Sequence, residues 1–229
     1  MQRFYDLQIF YELLLLLDDK LGKHFLIECN QRMDWPRHGI SFFFEQGELR
    51  DNGIELRVVR IGVSNPSKDK KSGLWDRLCQ KRGSIKGQNA GGGNHRISDF
   101  RAHIGSALLH RDNIDCDTWD ASFSNAIVRR QEYPLEIEVS DVIAAMPFLW
   151  LSTDYARNPL VTSQMIRNNC IALLSNYDRK PHDKASANWL GNYCGNRMVR
   201  QSGLWHSEHV SDRYDPLFLN TMSKLVKKM

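Results

Sequence analysis

The sequence predicts a mixed α/β fold, with one small sheet flanked by helices in a single domain over residues 1–229. Two observations predict it. Three short apolar runs have the composition of strands, and several other segments repeat apolar residues every three or four positions. With 41% hydrophobic residues, six Trp and ten Phe, the chain can fill a sizeable core, expected over about 36–190 with a further helix at each end.

The first predicted elements are a helix and a β-hairpin. Residues 4–21 place apolar side chains at helical spacing, and Gly22 is a natural stop after them. Two β-rich runs follow at 39–45 (GISFFFE) and 56–63 (LRVVRIGV), separated by turn-forming residues. These two runs are therefore predicted to pair in one sheet.

Helices and loops make up most of the remaining chain. A lysine-rich turn segment precedes a helix, and a glycine-rich loop separates that helix from one that begins at Ser98. Residues 113–134 show no periodicity and are left unassigned. Helices are predicted over 74–82, 135–145 and 162–175, and a strand over 146–152. A last helix is predicted over about 215–228, because Asp215-Pro216 is a good helix start.

Positive charge is concentrated in one part of the chain. The net charge is +4, but residues 64–103 hold nine Lys or Arg against three Asp, which gives this stretch a charge of +6. Such a distribution favours an anionic partner such as nucleic acid. A protein partner with an acidic surface, or a second copy of the chain, would also fit a basic face.

The cysteines and apolar runs bear on location. Five widely spaced cysteines, with no Cys-x-x-Cys pair, predict reduced thiols in a cytoplasmic protein. The strongest apolar run, Leu13–Leu17, is far shorter than the roughly 20 residues that a membrane span needs. Neither a membrane span nor a signal peptide is expected.

The order of five segments, GISFFFE, LRVVRIGV, LWDRL, MPFLWLS and IRNNCI, resembles the GIY-YIG nuclease superfamily. That resemblance implies a three-stranded mixed or antiparallel sheet, with Gly-Ile-Tyr and Tyr-Ile-Gly on its first two strands. It also implies DNA as the substrate, most simply double-stranded. Water would be activated near a Tyr, and one Mg²⁺ held by a Glu would assist hydrolysis of the phosphodiester.

The two strand motifs match the superfamily in part. Gly39-Ile40 fits the first motif, but Ser41 stands where Tyr is expected. Ile61-Gly62 fits the second, but Arg60 replaces its Tyr. The resemblance makes Ser41 and Arg60 candidate catalytic positions with altered chemistry.

The helical motifs also match in part. Arg77 fits the essential helix Arg, and Lys81 lies one turn later, where several members have a His. Arg167 occupies the position of the metal-binding Glu, and Asn188 is the counterpart of a late Asn. A cation at the ligand position should repel Mg²⁺, so the metal ligand is left unassigned.

Other acidic and basic residues complete the candidates. Glu132, Glu136 and Glu138 are the nearest acidic replacements for the missing Glu, although they precede the third strand. Histidines His206 and His209 are predicted at the surface. The residues expected to contact nucleic acid are Lys68, Lys70, Lys71, Arg82, Asn94, His95, Arg96 and Arg101.

Two functions follow as hypotheses. The first is a Mg²⁺-dependent DNA endonuclease that serves restriction, repair or defence. The second is a module that keeps the nuclease fold and binds nucleic acid or a protein without cleaving it. Retention of Arg77, Lys81 and Arg82 beside the loss of the Glu favours the second.

Overall fold

A computed structural model describes residues 2–64 and 73–229 of the chain. Its helices and strands are α1 (Gln2–Leu21), β1 (Gly39–Leu49), β2 (Leu56–Val63), α2 (Leu74–Arg82), α3 (Asp99–Asp112), α4 (Ala126–Ala144), β3 (Phe148–Ser152), α5 (Pro159–Leu174), α6 (Arg197–Ser202) and α7 (Leu217–Lys228). Short 3-10 turns cover His95–Ile97 and Leu190–Tyr193. No helix in this described part combines the length and apolar character needed to cross a bilayer.

The three strands form one antiparallel sheet in the order β2-β1-β3. Ser41 on the central strand lies opposite Gly62 on β2 and opposite Trp150 on β3. A register shift between Phe43 and Phe44 interrupts the pairing with β2. The predicted hairpin, the third strand and the α/β class with added N- and C-terminal helices are confirmed, and the sheet is antiparallel.

Both faces of the sheet are buried, because helices cover each of them. On one face Ile40, Phe42 and Leu149 pack in a cluster with α1, α5 and α7. On the other, Phe43 and Phe148 pack with α2, α3 and α4. Burial on two sides explains why the strands are continuous apolar runs with little alternation.

Helix α4 is longer than the sequence predicts. It begins at Ala126, where the Asn125 side chain accepts hydrogen bonds from Ile127 N and Val128 N, both at 2.9 Å. Pro134 lies inside it. Because proline removes one backbone donor and usually ends a helix, it hides the first half of α4 from a pattern-based prediction.

Candidate phosphate-binding pocket

A pocket of about 340 Å³ opens where β2 ends, between α2, the start of α3 and α5. The described part of its lining includes one acidic residue, Asp99, and four basic residues, which are Arg60, Arg77, Lys81 and Arg167. We call it the cationic pocket. These four basic residues come from three elements, so the fold brings together charges that are up to 107 positions apart in the chain.

Helix α2 supplies Arg77 and Lys81. Four positions apart, they share a helix face, as predicted. Arg77 Nη1 donates to Gln80 Oε1 at 3.1 Å. Lys81 is only 8% exposed, and its Nζ lies 5.1 Å from the centre of the Phe43 ring. Lys81 thus carries its amine to the floor of the pocket, against the sheet.

Arg60 enters from β2. Its Nη1 donates to the Trp205 carbonyl oxygen, and its guanidinium lies 5.2 Å from the Phe100 ring centre. Its Nε has no hydrogen-bond partner in the described part of the chain. Burial lowers the pKa of Arg60 to about 9, helped by repulsion from Arg167, so it remains cationic at neutral pH.

Arg167 enters from α5, the helix after β3. Its Nη1 donates to Asn168 Oδ1 at 3.0 Å, and its Nη2 lies 3.8 Å from Glu208 Oε2. Glu208 is largely exposed, so that ion pair is weak. Arg167 therefore contributes positive charge to the same pocket as Arg77.

Ser41 and Gly62 lie behind the lysine. Ser41 is fully buried, and its hydroxyl has no hydrogen-bond partner among the described residues. A Cβ atom on Gly62 would overlap Lys81 Nζ and lie 2.5 Å from Ser41 Oγ. Glycine at this position therefore leaves the space that the Lys81 amine and the Ser41 hydroxyl occupy.

The Gly62→Ala variant should displace the Lys81 amine and weaken phosphate binding by about tenfold, the effect of losing one charged contact. The Lys81 amine can move because it is the end of a flexible side chain, but Ser41 Oγ is also too close, so a thermal melt must first show that the variant is folded. The test is DNA affinity by fluorescence anisotropy. In a Lys81→Ala background the same substitution should add nothing, and additive losses would contradict this explanation.

Burial and neighbouring basic groups lower the pKa values of Lys81 and His206, which lie in or next to this pocket. Burial, together with repulsion from Arg60, Arg77 and Arg167, lowers the pKa of Lys81 to about 7. His206 is 1% exposed and its Nε2 accepts a hydrogen bond from Ile61 N at 3.0 Å. Burial and Arg60 hold the pKa of His206 well below its usual range, so this histidine stays neutral.

His206 was predicted at the surface, and that prediction is wrong. Its position behind β2 depends on the chain returning through Trp205, whose backbone N donates to Val59 O at 2.8 Å. His103 lies nearby, 3.4 Å from Ser207 Oγ, and burial and Arg60 lower its pKa to about 4. Nothing in the local sequence separates a buried histidine from an exposed one.

The residues of the cationic pocket do not fit a divalent cation. Hard cations such as Mg²⁺ need several oxygen ligands, usually carboxylates. Among the described residues, Asp99 is the one carboxylate in the lining, and four basic groups lie around it. Residues 2–64 and 73–229 contain no group of three or more His, Cys, Asp or Glu side chains arranged to hold a metal.

The acidic residues proposed as replacements serve other contacts. Glu132 forms two hydrogen bonds to the Arg96 guanidinium, at 2.7 and 2.8 Å. Glu136 accepts from Arg101 Nε at 2.9 Å and from the His95 backbone N at 2.7 Å. These bonds tie α4 to the glycine-rich loop and to α3. The third candidate, Glu138, is exposed on α4 and does not line the cationic pocket.

Several predicted nucleic-acid contacts are internal. Arg101 is fully buried and His95 is 4% exposed, and both bind Glu136. Arg96 is bound to Glu132. Arg101 and His95 therefore cannot reach a DNA backbone, and the prediction that these two residues contact nucleic acid is wrong. Gly93 is needed because any side chain there would overlap the Arg101 guanidinium.

The other predicted site residues lie apart from the cationic pocket. Arg82 Nη1 donates to Cys29 O at 3.1 Å, and its guanidinium lies 4.9 Å from the Trp75 ring centre. Asn94 is exposed and caps the 3-10 turn by accepting from Arg96 N. Asn188 is exposed and does not line the pocket. Lys68, Lys70 and Lys71 fall outside the described residues.

The three-stranded antiparallel sheet with helices on both faces is consistent with the fold that the sequence resemblance implies. A family model described as GIY-YIG domain matches residues 1–229, and the chain therefore belongs to the GIY-YIG family. The resemblance drawn from the sequence is confirmed. Neither the comparison with curated proteins nor the comparison with solved structures found a match. Nucleic acid is the class of substrate that this fold implies.

Proposed function

We propose that this protein binds DNA through the cationic pocket, on a nuclease fold whose metal-ligand position has become a basic residue. The single observation that carries the proposal is the presence of Arg167 in the same pocket as Arg60, Arg77 and Lys81. Arginine suits this role because its planar guanidinium can donate two hydrogen bonds to one phosphate. Five unpaired cysteines would be compatible with action in the cytoplasm.

Hydrolysis of DNA with Mg²⁺ is the second candidate, and family membership favours it. It would need a carboxylate ligand, and Asp99 is the one carboxylate that the described residues 2–64 and 73–229 contribute to the pocket. A plasmid-nicking assay with Mg²⁺ and with Mn²⁺ compares the two. We expect binding without metal-stimulated nicking, and robust nicking that is lost in Arg77→Ala would reverse the order of the candidates.

Binding to double-stranded DNA should weaken steeply with salt. If the four basic residues of the pocket each neutralise one phosphate charge, affinity should fall roughly 100-fold between about 50 and 200 mM salt. Arg77→Ala should reduce the slope of log K against log salt by about one. Fluorescence anisotropy of a labelled duplex measures both quantities.

The matched control for that titration is Lys227→Ala. Lys227 is exposed on α7, which packs on β3 at the edge of the sheet opposite β2. The Lys227→Ala variant should leave unchanged both the DNA affinity and the slope of log K against log salt. An affinity that ignores salt, or equal losses in the two variants, would argue against binding at the cationic pocket.

A further inference from the structure

Lys81 is placed differently from an ordinary phosphate-binding lysine at a surface. It is 8% exposed, and its nearest aromatic neighbour is Phe43 on β1. Among the described residues its Nζ forms no salt bridge or hydrogen bond, whereas its backbone carbonyl oxygen accepts from Arg101 Nη1. An amine in this setting has little to stabilise its charge until an anion enters the pocket.

The groups that face Lys81 from each neighbouring element are mainly basic or neutral. Arg60 faces it from β2, Arg77 from its own helix and Arg167 from α5, and all three repel its positive charge. His206, behind β2, is neutral. From α3, Asp99 supplies one negative charge in the lining, and His103 is held neutral at physiological pH.

Depth and charge together select the form of phosphate that can enter. A phosphate within a strand carries one negative charge and has a sugar on each side, which keeps it on the outer surface of a pocket. A terminal phosphate has one substituent and carries up to two negative charges, with a second pKa of about 6. It can project inward to a buried amine and exert twice the Coulomb attraction on it.

We propose that the cationic pocket prefers the dianionic phosphate monoester at the end of a nucleic-acid strand, and that Lys81 takes up a proton when this group binds. The inference rests on the proposed function and names the ligand of the same site. The same chemistry occurs in a mononucleotide and in inorganic phosphate, so the experiment must separate these sources from a strand end.

The proton uptake fixes the direction of the pH dependence. With a Lys81 pKa of about 7 in the empty pocket, part of the protein has a neutral amine at neutral pH. Binding a dianion raises that pKa, so affinity falls as pH rises above about 7, by up to tenfold per unit. Below about pH 6 the monoester itself loses its second charge, and affinity falls again.

The test compares ligands that differ in the phosphate alone. Isothermal calorimetry would be run with a short duplex with 5′-phosphate ends, the same duplex with 5′-hydroxyl ends, a mononucleotide and inorganic phosphate. We expect about tenfold tighter binding of the phosphorylated duplex at about pH 6.5, and a smaller preference at about pH 8.5. Titration in buffers of different ionisation enthalpy should show uptake of about one proton at about pH 8.5, where the Lys81 amine is mostly neutral before binding, and little net uptake at about pH 6.5.

Two variants keep the test decisive. Lys81→Arg retains the positive charge, so the preference for a phosphorylated end should persist while proton uptake and the pH dependence above 7 disappear. Lys227→Arg is the surface control and should behave as the unmodified protein. A thermal melt of each variant checks folding before titration.

The possible outcomes separate the inference from the proposed function. Equal affinity for the two duplexes would overturn the inference and leave DNA binding standing. No binding to either duplex would overturn both. Binding of the mononucleotide or inorganic phosphate as tightly as the phosphorylated duplex would overturn the preference for a strand end and assign the site to a small phosphate ligand.

Discussion

Replacing Arg101 with Met should lower the free energy of unfolding by about 3 to 5 kcal/mol, the usual cost of removing one partner from a buried ion pair. Arg101 is fully buried and donates to Glu136 Oε2 at 2.5 and 2.9 Å. Its other donors reach Lys81 O at 2.8 Å and Ser140 Oγ at 3.0 Å. The variant would leave the buried Glu136 carboxylate without its main counter-charge.

Urea unfolding followed by circular dichroism measures this change. Arg111→Met is the matched control, because Arg111 pairs with Asp112 on the surface of the same helix and both side chains are about 40% exposed. Its loss should stay below about 0.5 kcal/mol. A loss of less than about 1 kcal/mol in Arg101→Met would mean that the buried network contributes little to stability.

Arg101 also contacts the helix that carries two of the pocket's basic residues. Its bond to the Lys81 carbonyl holds the C-terminal end of α2, the helix that presents the Lys81 amine. The basic residue that the sequence predicts as a DNA contact is therefore a positioning residue. Its replacement should weaken DNA binding only through the placement of Lys81.

The Arg167→Glu variant should have the largest effect on binding. It changes the pocket charge by two units and places a carboxylate near Asp99 and Glu208. We expect DNA affinity to fall about 100-fold at low salt, through one lost phosphate contact and one new repulsion. The same variant should bind Mg²⁺ or Mn²⁺ more tightly than the unmodified protein, because the new carboxylate joins Asp99 and Glu208 and one repelling cation is removed.

Two measurements on this variant are needed. Anisotropy gives the DNA affinity, and the melting temperature should rise with metal concentration in the variant but not in the unmodified protein. Arg167→Gln is the control, since it removes the positive charge without adding a carboxylate, and it should lose DNA affinity with little gain in metal binding. Unchanged DNA affinity in Arg167→Glu would place the phosphate site elsewhere.

The fold was largely predictable from local sequence. GISFFFE, LRVVRIGV and MPFLWLS are short and rich in β-branched or aromatic residues, and all three are strands. Both helices that supply Arg77 and Arg167 also show clear periodicity. Helix α4 was missed in its first half, because Pro134 and the polar residues before it have no helical pattern.

The site was less predictable, because whether a basic side chain stays unpaired depends on carboxylates that are distant in the sequence. The +6 stretch suggested a continuous DNA-binding surface, yet Arg96 and Arg101 pair with Glu132 and Glu136 from α4. Charge counted along the chain cannot show that carboxylates 35 positions away neutralise it in the fold. Arg77 and Lys81 were predicted from the resemblance to the superfamily, and their spacing of four positions puts them on one helix face.

The most direct test of the central claim is DNA affinity measured with EDTA and again with Mg²⁺ at matched ionic strength. If the basic residues of the cationic pocket bind phosphate without a metal, the DNA affinity should be no higher with Mg²⁺ than with EDTA. The DNA should also stay intact in both conditions. Binding that requires Mg²⁺, or cleavage that begins when Mg²⁺ is added, would contradict the claim that the cationic pocket binds phosphate without a metal.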